Sequence, residues 1–325
     1  MAKTLSPLFS SSAHGKLARS LVYSKKKSGQ LARAMHYPKK EPSLKQWTRR
    51  HIVGLLTAHW QCMTDNERST WNTNAAASNL NLPGYQYFLK LAQADLYTHH
   101  GMVIYLPLNE ATGENCFCAV CDMFMGVLKP SYPDNCPIRS PSFRKEYGNS
   151  LFFDGTDDYV QISYHSRFSI TEAITLEAWI KLSSLSHGWQ ILFANSAAAP
   201  NRVMILRVIN QKLYFYASSD GLVYVNVSTD SILTLDWTYV VATFSTLDNK
   251  MRLYINSVQW PDTQDLDSLH VAPKPLFFGG TPASEFFFGG IDEFRVYNRA
   301  LGAEEIKKHF ALLRLDKKRQ PLLRL

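Results

Sequence analysis

Acidic side chains are almost missing from the first fifty residues, which hold one, Glu41, against twelve Lys and Arg. That stretch therefore carries +11, and the remaining 23 basic and 26 acidic residues leave the rest of the chain at −3, for the total of +8. Cysteine is scarce at five in 325 residues, which rules out a disulfide-dense scaffold. No apolar run approaches the ~20 residues a membrane-spanning helix needs. Residues 1–30 lack the apolar centre of a signal peptide, so the expected place of assembly is the cytoplasm. There is no Gly-x-Ser-x-Gly, no phosphate-binding glycine loop and no His-Glu-x-x-His. No strand carries the paired carboxylates of a glycosidase, and Asp292 and Glu293, being adjacent, are expected on opposite faces of theirs. The expectation is a protein that is not an enzyme.

What is present is a folded body. Hydrophobic residues make up 46% and aromatics 13%, enough for a substantial core and for more than one domain. Residues 1–42 form a basic arm. Two short apolar runs flank Lys25, Lys26 and Lys27 and predict a β-hairpin with a basic tip. Together with Arg33, Lys39, Lys40, Arg49 and Arg50, these lysines are the expected anchoring groups. Their partner would be anionic, whether nucleic acid, an acidic protein surface or lipid, unless the arm is simply solvated.

Residues 43–100 read as a small helical module. Ser43 and Gln46 make one capping-box pattern and Thr64 and Glu67 a second, while Pro83-Gly84 opens a third helix. Trp47, Leu55, Trp60, Trp71, Tyr85, Phe88 and Leu91 are its candidate core. Trp60-x-x-Met63-Thr64-x-x-Glu67-Arg68-x-x-Trp71 resembles one helix pair of the HMG-box type. The run from Leu8 to Leu96, ending in Gly84-Tyr85-Gln86-Tyr87-Phe88, resembles the N-terminal module of uncharacterised tailed-phage and prophage proteins.

From Gly101 the apolar pattern switches to period two. Leu176, Ala178, Ile180 and Leu182 alternate with polar residues, as do Leu213, Phe215 and Ala217, and Met251, Leu253 and Ile255. Val240 to Phe244 is apolar on both faces. Residues 101–312 thus predict a mainly β, two-sheet antiparallel jelly-roll sandwich, with residues 313–325 as a basic, leucine-bearing tail. Ser150-Leu151-Phe152-Phe153-Asp154-Gly155-Thr156-Asp157-Asp158-Tyr159-Val160 and Gly290-Ile291-Asp292-Glu293-Phe294-Arg295-Val296-Tyr297-Asn298-Arg299-Ala300-Leu301 carry a further resemblance. They are similar to the opening and closing strands of laminin-G-like, concanavalin A-like domains.

That resemblance implies a structural Ca²⁺ held by Asp154, Asp157, Asp158 and Asp292, hard oxygen ligands of the kind calcium takes. On the bland alternative, these aspartates only cap turns and bond backbone N–H groups. Cys116, Cys118, Cys121 and Cys136 lie within one inserted loop, and zinc, two disulfides and free thiols all stay open for them. Cys62 reads as a core residue, and adjacent His99 and His100 do not suit one metal. Trp189, Trp260, Tyr214, Tyr216 and Tyr224 are candidate sugar-stacking aromatics, each set against a plain packing role.

Taken together, the resemblances imply a virion structural protein of a tailed phage or related virus. It would be anchored through its basic N-terminal module to other virion proteins and copies of itself. The jelly roll would be displayed as a decoration or host-glycan adhesion module. A non-viral lectin and a nucleic-acid-binding protein are the alternatives.

Overall fold

The computed structural model describes residues 15–17, 21–26, 29–34, 44–95, 100–120, 125–130, 135–143, 148–195, 199–230 and 232–314. Contacts divide the chain into two compact units, Met1–Ser43 and Leu44–Leu325. In the first, the expected hairpin is present and gains a third strand. Strands β1 (Gly15–Leu17), β2 (Leu21–Lys26) and β3 (Gly29–Ala34) form an antiparallel sheet in that order, with Lys26 paired to Gly29 at the hairpin turn. Lys25, Lys26 and Arg33 fall on its strands, while Lys27, Lys39 and Lys40 lie outside the described residues.

The second unit opens with helices α1 (Leu44–Cys62), α2 (Asp65–Ala77) and α3 (Gly84–Ala94). Arg49 and Arg50 are exposed on α1. The capping box at Thr64 forms as expected: Glu67 N–H donates to Thr64 Oγ1 (3.3 Å) and Thr64 N–H to Glu67 Oε2 (2.7 Å). Ser43, the other expected cap, lies outside the described residues.

Seventeen strands follow: β4 (Met102–Leu106), β5 (Asn115–Phe117), β6 (Met125–Lys129), β7 (Ile138–Pro141), β8 (Asn149–Asp154), β9 (Tyr159–Ile162), β10 (Ala173–Leu182), β11 (Trp189–Asn195), β12 (Met204–Ile209), β13 (Lys212–Ala217), β14 (Val225–Ser228), β15 (Thr238–Ser245), β16 (Lys250–Ile255), β17 (Val258–Gln259), β18 (Gln264–Asp265), β19 (Leu276–Phe278) and β20 (Phe288–Tyr297). Helix α4 (Ala303–Arg314) comes after them. The first sheet runs β17-β16-β15-β10-β20-β8-β7, with β18 beside β16 and β4 beside β20. The second runs β14-β13-β12-β11-β19-β9-β6-β5. Every pairing between described strands is antiparallel, and the two sheets face each other across a core that includes Leu106, Phe153, Leu176, Phe193, Phe215, Phe244, Phe278 and Phe294. This is the expected jelly-roll sandwich.

Two expectations are corrected in detail. The Ser150–Val160 motif is not one strand: β8 belongs to the first sheet and β9 to the second, so the aspartates sit on the turn between sheets. The helices do not keep a core of their own either. Leu55, Leu56 and Phe88 share one with Met102, Tyr105, Trp179, Tyr239, Tyr297 and Ile306, on the outer face of the first sheet. Hence β15 is buried on both faces: Val240, Ala242 and Phe244 meet the second sheet, whereas Tyr239 and Val241 lie under the helices. Leu312 packs against Gly54 of α1, so α4 closes that layer instead of trailing from it.

Strand β20 is the central wall. Around Gly289 the backbone of β10 comes so close that a Cβ would overlap the Lys181 carbonyl oxygen, which only glycine permits. Between the Glu177–Arg295 and Trp179–Asp292 pairs, β20 spends one residue more than β10, and Glu293 takes a φ of +53°. This bulge overturns the expected alternation. Ile291 and Phe294 face the inter-sheet core, while Asp292 bonds Ser142 and Glu293 bonds Tyr105, both on the helix side.

Candidate functional site

The outer face of the second sheet carries a stripe of aromatic and cationic side chains. Antiparallel register sets Arg207 of β12 opposite Tyr214 of β13 and Ile191 of β11, with Tyr216 two residues along. The Arg207 guanidinium lies 4.3 Å from the Trp189 ring centre and 4.2 Å from that of Tyr216, clamped between them. Its Nη1 donates to both carboxylate oxygens of Glu285, at 3.0 and 3.2 Å. Tyr214 stacks on Tyr216 at 5.8 Å, Tyr224 meets Tyr216 edge-on at 6.0 Å, and Arg202 lies 5.3 Å over Tyr224.

Trp189 keeps 54% of its surface exposed, so one aromatic face is open to a ligand while the other packs on the arginine. Glu285 holds a left-handed φ of +65°, and its carbonyl accepts from Ile191 N–H at 2.8 Å. Such strain in a non-glycine residue costs about 1–3 kcal/mol, and it concentrates at ligand sites.

The sequence anticipated Trp189, Tyr214, Tyr216 and Tyr224 here but missed Arg202, Arg207 and Glu285. Arg207 had a signal: it alternates with the core-facing Leu206 and Val208 of its strand. Glu285 had none, because only the fold brings its loop over β12. Trp260 is corrected. It follows β17 at the edge of the other sheet, donates its N–H to Leu253 O (2.8 Å), and packs half-buried against the core.

The turn between β8 and β9 does gather three aspartates. Oxygens of Asp154, Asp157 and Asp158 lie within 4.8 Å of one another, grading from exposed to buried. Asp158 accepts from Asp154 N–H (2.8 Å) and Asp157 from Asn135 Nδ2 (2.6 Å), while Asp157 Oδ1 is buried without a partner. Burial, and then the neighbouring aspartates, push the Asp158 carboxyl up to about 7. Asp292 does not join them. Phe288 pairs with Asp154, so Asp292 stands four residues further along β20, about 13 Å away. It is fully buried, accepts Ser142 Oγ–H at 2.5 Å, and is held well above the usual carboxylate range by burial and by Glu293.

Beneath the helices lies a closed polar layer. Arg295 bonds Glu177 (2.8 Å) and Glu293, and all three are at most 1% exposed. Tyr239 (2.5 Å), Tyr297 (3.0 Å) and His309 (3.1 Å) donate to Glu177, and Tyr105 (2.8 Å) donates to Glu293. Burial alone would raise both glutamates, yet Arg295, with His309 beside Glu177 and His51 beside Glu293, holds both below their ordinary range. Helices α1 and α4 cover this layer and contribute His51 and His309 to it.

A second cluster links the same helices. His59 and His100 bring their Nδ1 atoms to 2.7 Å, and Arg299 forks onto Glu305 at 2.7 and 2.8 Å while reaching both rings. His100 thus pairs with His59 across the fold, and His99 lies outside the described residues. His59, His100 and Glu305 approach one another closely enough for a metal, but the Arg299 guanidinium already supplies the positive charge. Cys116, Cys118 and Cys136 are buried, and Cys121 lies outside the described residues. Burial pushes the Cys116 thiol up to about 12. Cys62 is half-buried against Lys308 Nζ (3.3 Å).

Residues 154–307 match the laminin G-type family described as the concanavalin A-like lectin/glucanases superfamily. No curated protein matches the chain. Among solved structures, the receptor-binding domain of botulinum neurotoxin mosaic serotype C/D is similar at 16% identity and a TM-score of 0.52, over 65% of this chain and 50% of that one. The binding domain of Paraclostridial Mosquitocidal Protein 1 is similar at 15% identity and 0.51, over 65% and 52%. The botulinum neurotoxin serotype D ligand-binding domain, solved with N-acetylneuraminic acid, is similar at 18% identity and 0.51, over 65% and 50%. This chain spans about half the length of those proteins, and at such identities the likeness is one of fold.

Proposed function

We propose that this chain binds glycans on the outer face of its second sheet. The observation that carries the reading is the Arg207 guanidinium clamped between Trp189 and Tyr216 and tied to Glu285. A pyranose offers an apolar C–H face to stack on the open side of Trp189, and hydroxyls to exchange hydrogen bonds with the Arg207–Glu285 pair. Both polar groups are preorganised by aromatic packing, so little side-chain entropy is lost on binding. The neurotoxin domain solved with N-acetylneuraminic acid supports the reading as a precedent on the same fold.

A glycan array read with the full chain and with Trp189→Ala is the test. Loss of the stacking ring is expected to weaken the best ligand about tenfold or more, equivalent to ~1.4 kcal/mol. Equal binding by both proteins would sink the assignment of this face.

The Asp154, Asp157 and Asp158 turn fits a calcium ion, because Asp157 Oδ1 is a buried acceptor in need of a positive partner. Calcium would neutralise the turn and brace the crossing between sheets. Since Asp158 ionises at about 7, the ion is expected to raise the melting temperature at pH 8 and to do far less at pH 5.5. A melting temperature at pH 8 that ignores both calcium and EGTA, and matches that of Asp158→Asn, would exclude the ion.

The sequence resemblance of the N-terminal region extends the proposal to display on a virion, with the +11 arm as the anchor to other particle proteins or to nucleic acid. Mass spectrometry of purified particles decides that part: absence of the chain leaves a non-viral lectin.

A further inference from the structure

One end of the sandwich presents bare aliphatic side chains on turns built to hold them out. Leu222 and Val223, between β13 and β14, are 51% and 63% exposed, and Leu247, between β15 and β16, is 97% exposed. The first turn is fixed from within. Asp220 Oδ1 accepts the N–H groups of Leu222 (2.8 Å) and Val223 (3.0 Å), and Arg202 Nη1 donates to Leu222 O (2.6 Å). Gly221 turns there at φ +79°, where a Cβ would overlap Pro200 O. The second turn is anchored by Thr246 N–H on Glu172 O (2.8 Å) and Leu247 N–H on Ser245 Oγ (3.2 Å).

The two turns belong to different sheets but to the same end. Leu266 N–H bonds Asn249 O beside the second turn, and His270 N–H bonds Ser218 O beside the first. Four residues of strap therefore join them, a reach of at most about 14 Å. Single exposed aliphatics are ordinary, but three on two rigid tips at one end are not. A protein partner would ask for a contiguous, packable patch. Separate protruding tips suit a medium that closes around each one. Immediately behind them stand Tyr224 and Arg202, an amphipathic ring and a cation at the level where headgroups would lie.

We infer that Leu222, Val223 and Leu247 insert into a lipid surface, with Arg202 meeting lipid phosphate. The stripe from Tyr224 through Tyr216 and Arg207 to Trp189 leads away from this end. A sugar on that stripe would accordingly belong to the same surface.

The experiment uses the full chain and phosphatidylcholine–phosphatidylserine vesicles with brominated acyl chains and no glycolipid. Leu247→Trp and Val223→Trp are expected to gain blue-shifted fluorescence that bromine quenches. Combined Leu222→Asp, Val223→Asp and Leu247→Asp is expected to cut flotation at least tenfold while leaving the melting temperature and glycan binding unchanged. Trp189→Ala is expected to float like the parent, so failure of the glycan assignment and failure of this one are told apart. No flotation of the parent, or equal flotation of the triple variant, overturns the inference. So does a triple variant altered only in self-association, which would make the tips a protein interface.

Discussion

Arg295→Met is expected to prevent folding of the second unit. The guanidinium is fully buried and is the cation shared by Glu177 and Glu293. Removing one partner of a buried ion pair costs about 3–5 kcal/mol, because the other charge is stranded in a medium that cannot solvate it. Here two carboxylates are stranded at once, against a total stability of order 5–15 kcal/mol. Protonating them relieves part of the cost but leaves four polar donors, Tyr105, Tyr239, Tyr297 and His309, without their acceptor charge. Expression with insoluble product, or a chain without a cooperative urea transition, is the expected readout. Combining Arg295→Met with Glu177→Gln and Glu293→Gln should restore soluble protein, since no charge is then left alone. A single Arg295→Met that melts within a few degrees of the parent would contradict the closed layer.

Acidification is expected to act nearly as strongly. Burial, with Arg299 beside it, holds His59 down to about 4, and burial likewise lowers His51 and His100. Below the ordinary histidine value of ~6.5 the unfolded chain takes up protons that these rings refuse, so stability falls as pH falls towards 4. For His59 alone the difference is about 3 kcal/mol. Glu177, Glu293 and Glu305 are also held below their usual range, and their contribution is full above ~4.5 and lost at lower pH. Asp158 and Asp292 run the other way, binding in the folded state protons that the unfolded chain has released, and they offset part of the loss. A melting temperature lower by about 10 °C or more at pH 5 than at pH 7.5 is therefore expected. His59→Gln should make the slope shallower, and a flat profile from pH 7.5 to 5 would show that these rings are open to water.

The sandwich was legible because its strands alternate where one face meets solvent, as in β13, whose buried Leu213, Phe215 and Ala217 alternate with half-buried residues. Helix α2 was legible from its cap at Thr64. Two things were not. A bulge leaves no mark in a pattern of period two, so Asp292 and Glu293 looked opposed when Glu293 in fact turns through φ +53° onto the same side. The role of the helices as a lid over β10, β15 and β20 was hidden as well. Glu177, Arg295 and Tyr297 read as outward-facing polar residues until the cover above them is known. In the candidate site the aromatics were legible by type and spacing. The Glu285 contact joins residues 78 apart in sequence, a pairing that no local pattern encodes.

The placement of β20 has a consequence for biosynthesis. It pairs with β10, β8 and β4, so the middle of the first sheet is filled by the last strand made among those described. A ribosome-bound chain that has released β4 to β19 holds two half-sheets with unpaired edges and no wall between them. Their closure waits for residues 288–297, and the helix that seals the layer comes later still. Folding of this unit therefore waits for β20 to emerge, and the nascent chain carries its open edges while β4 to β19 are made.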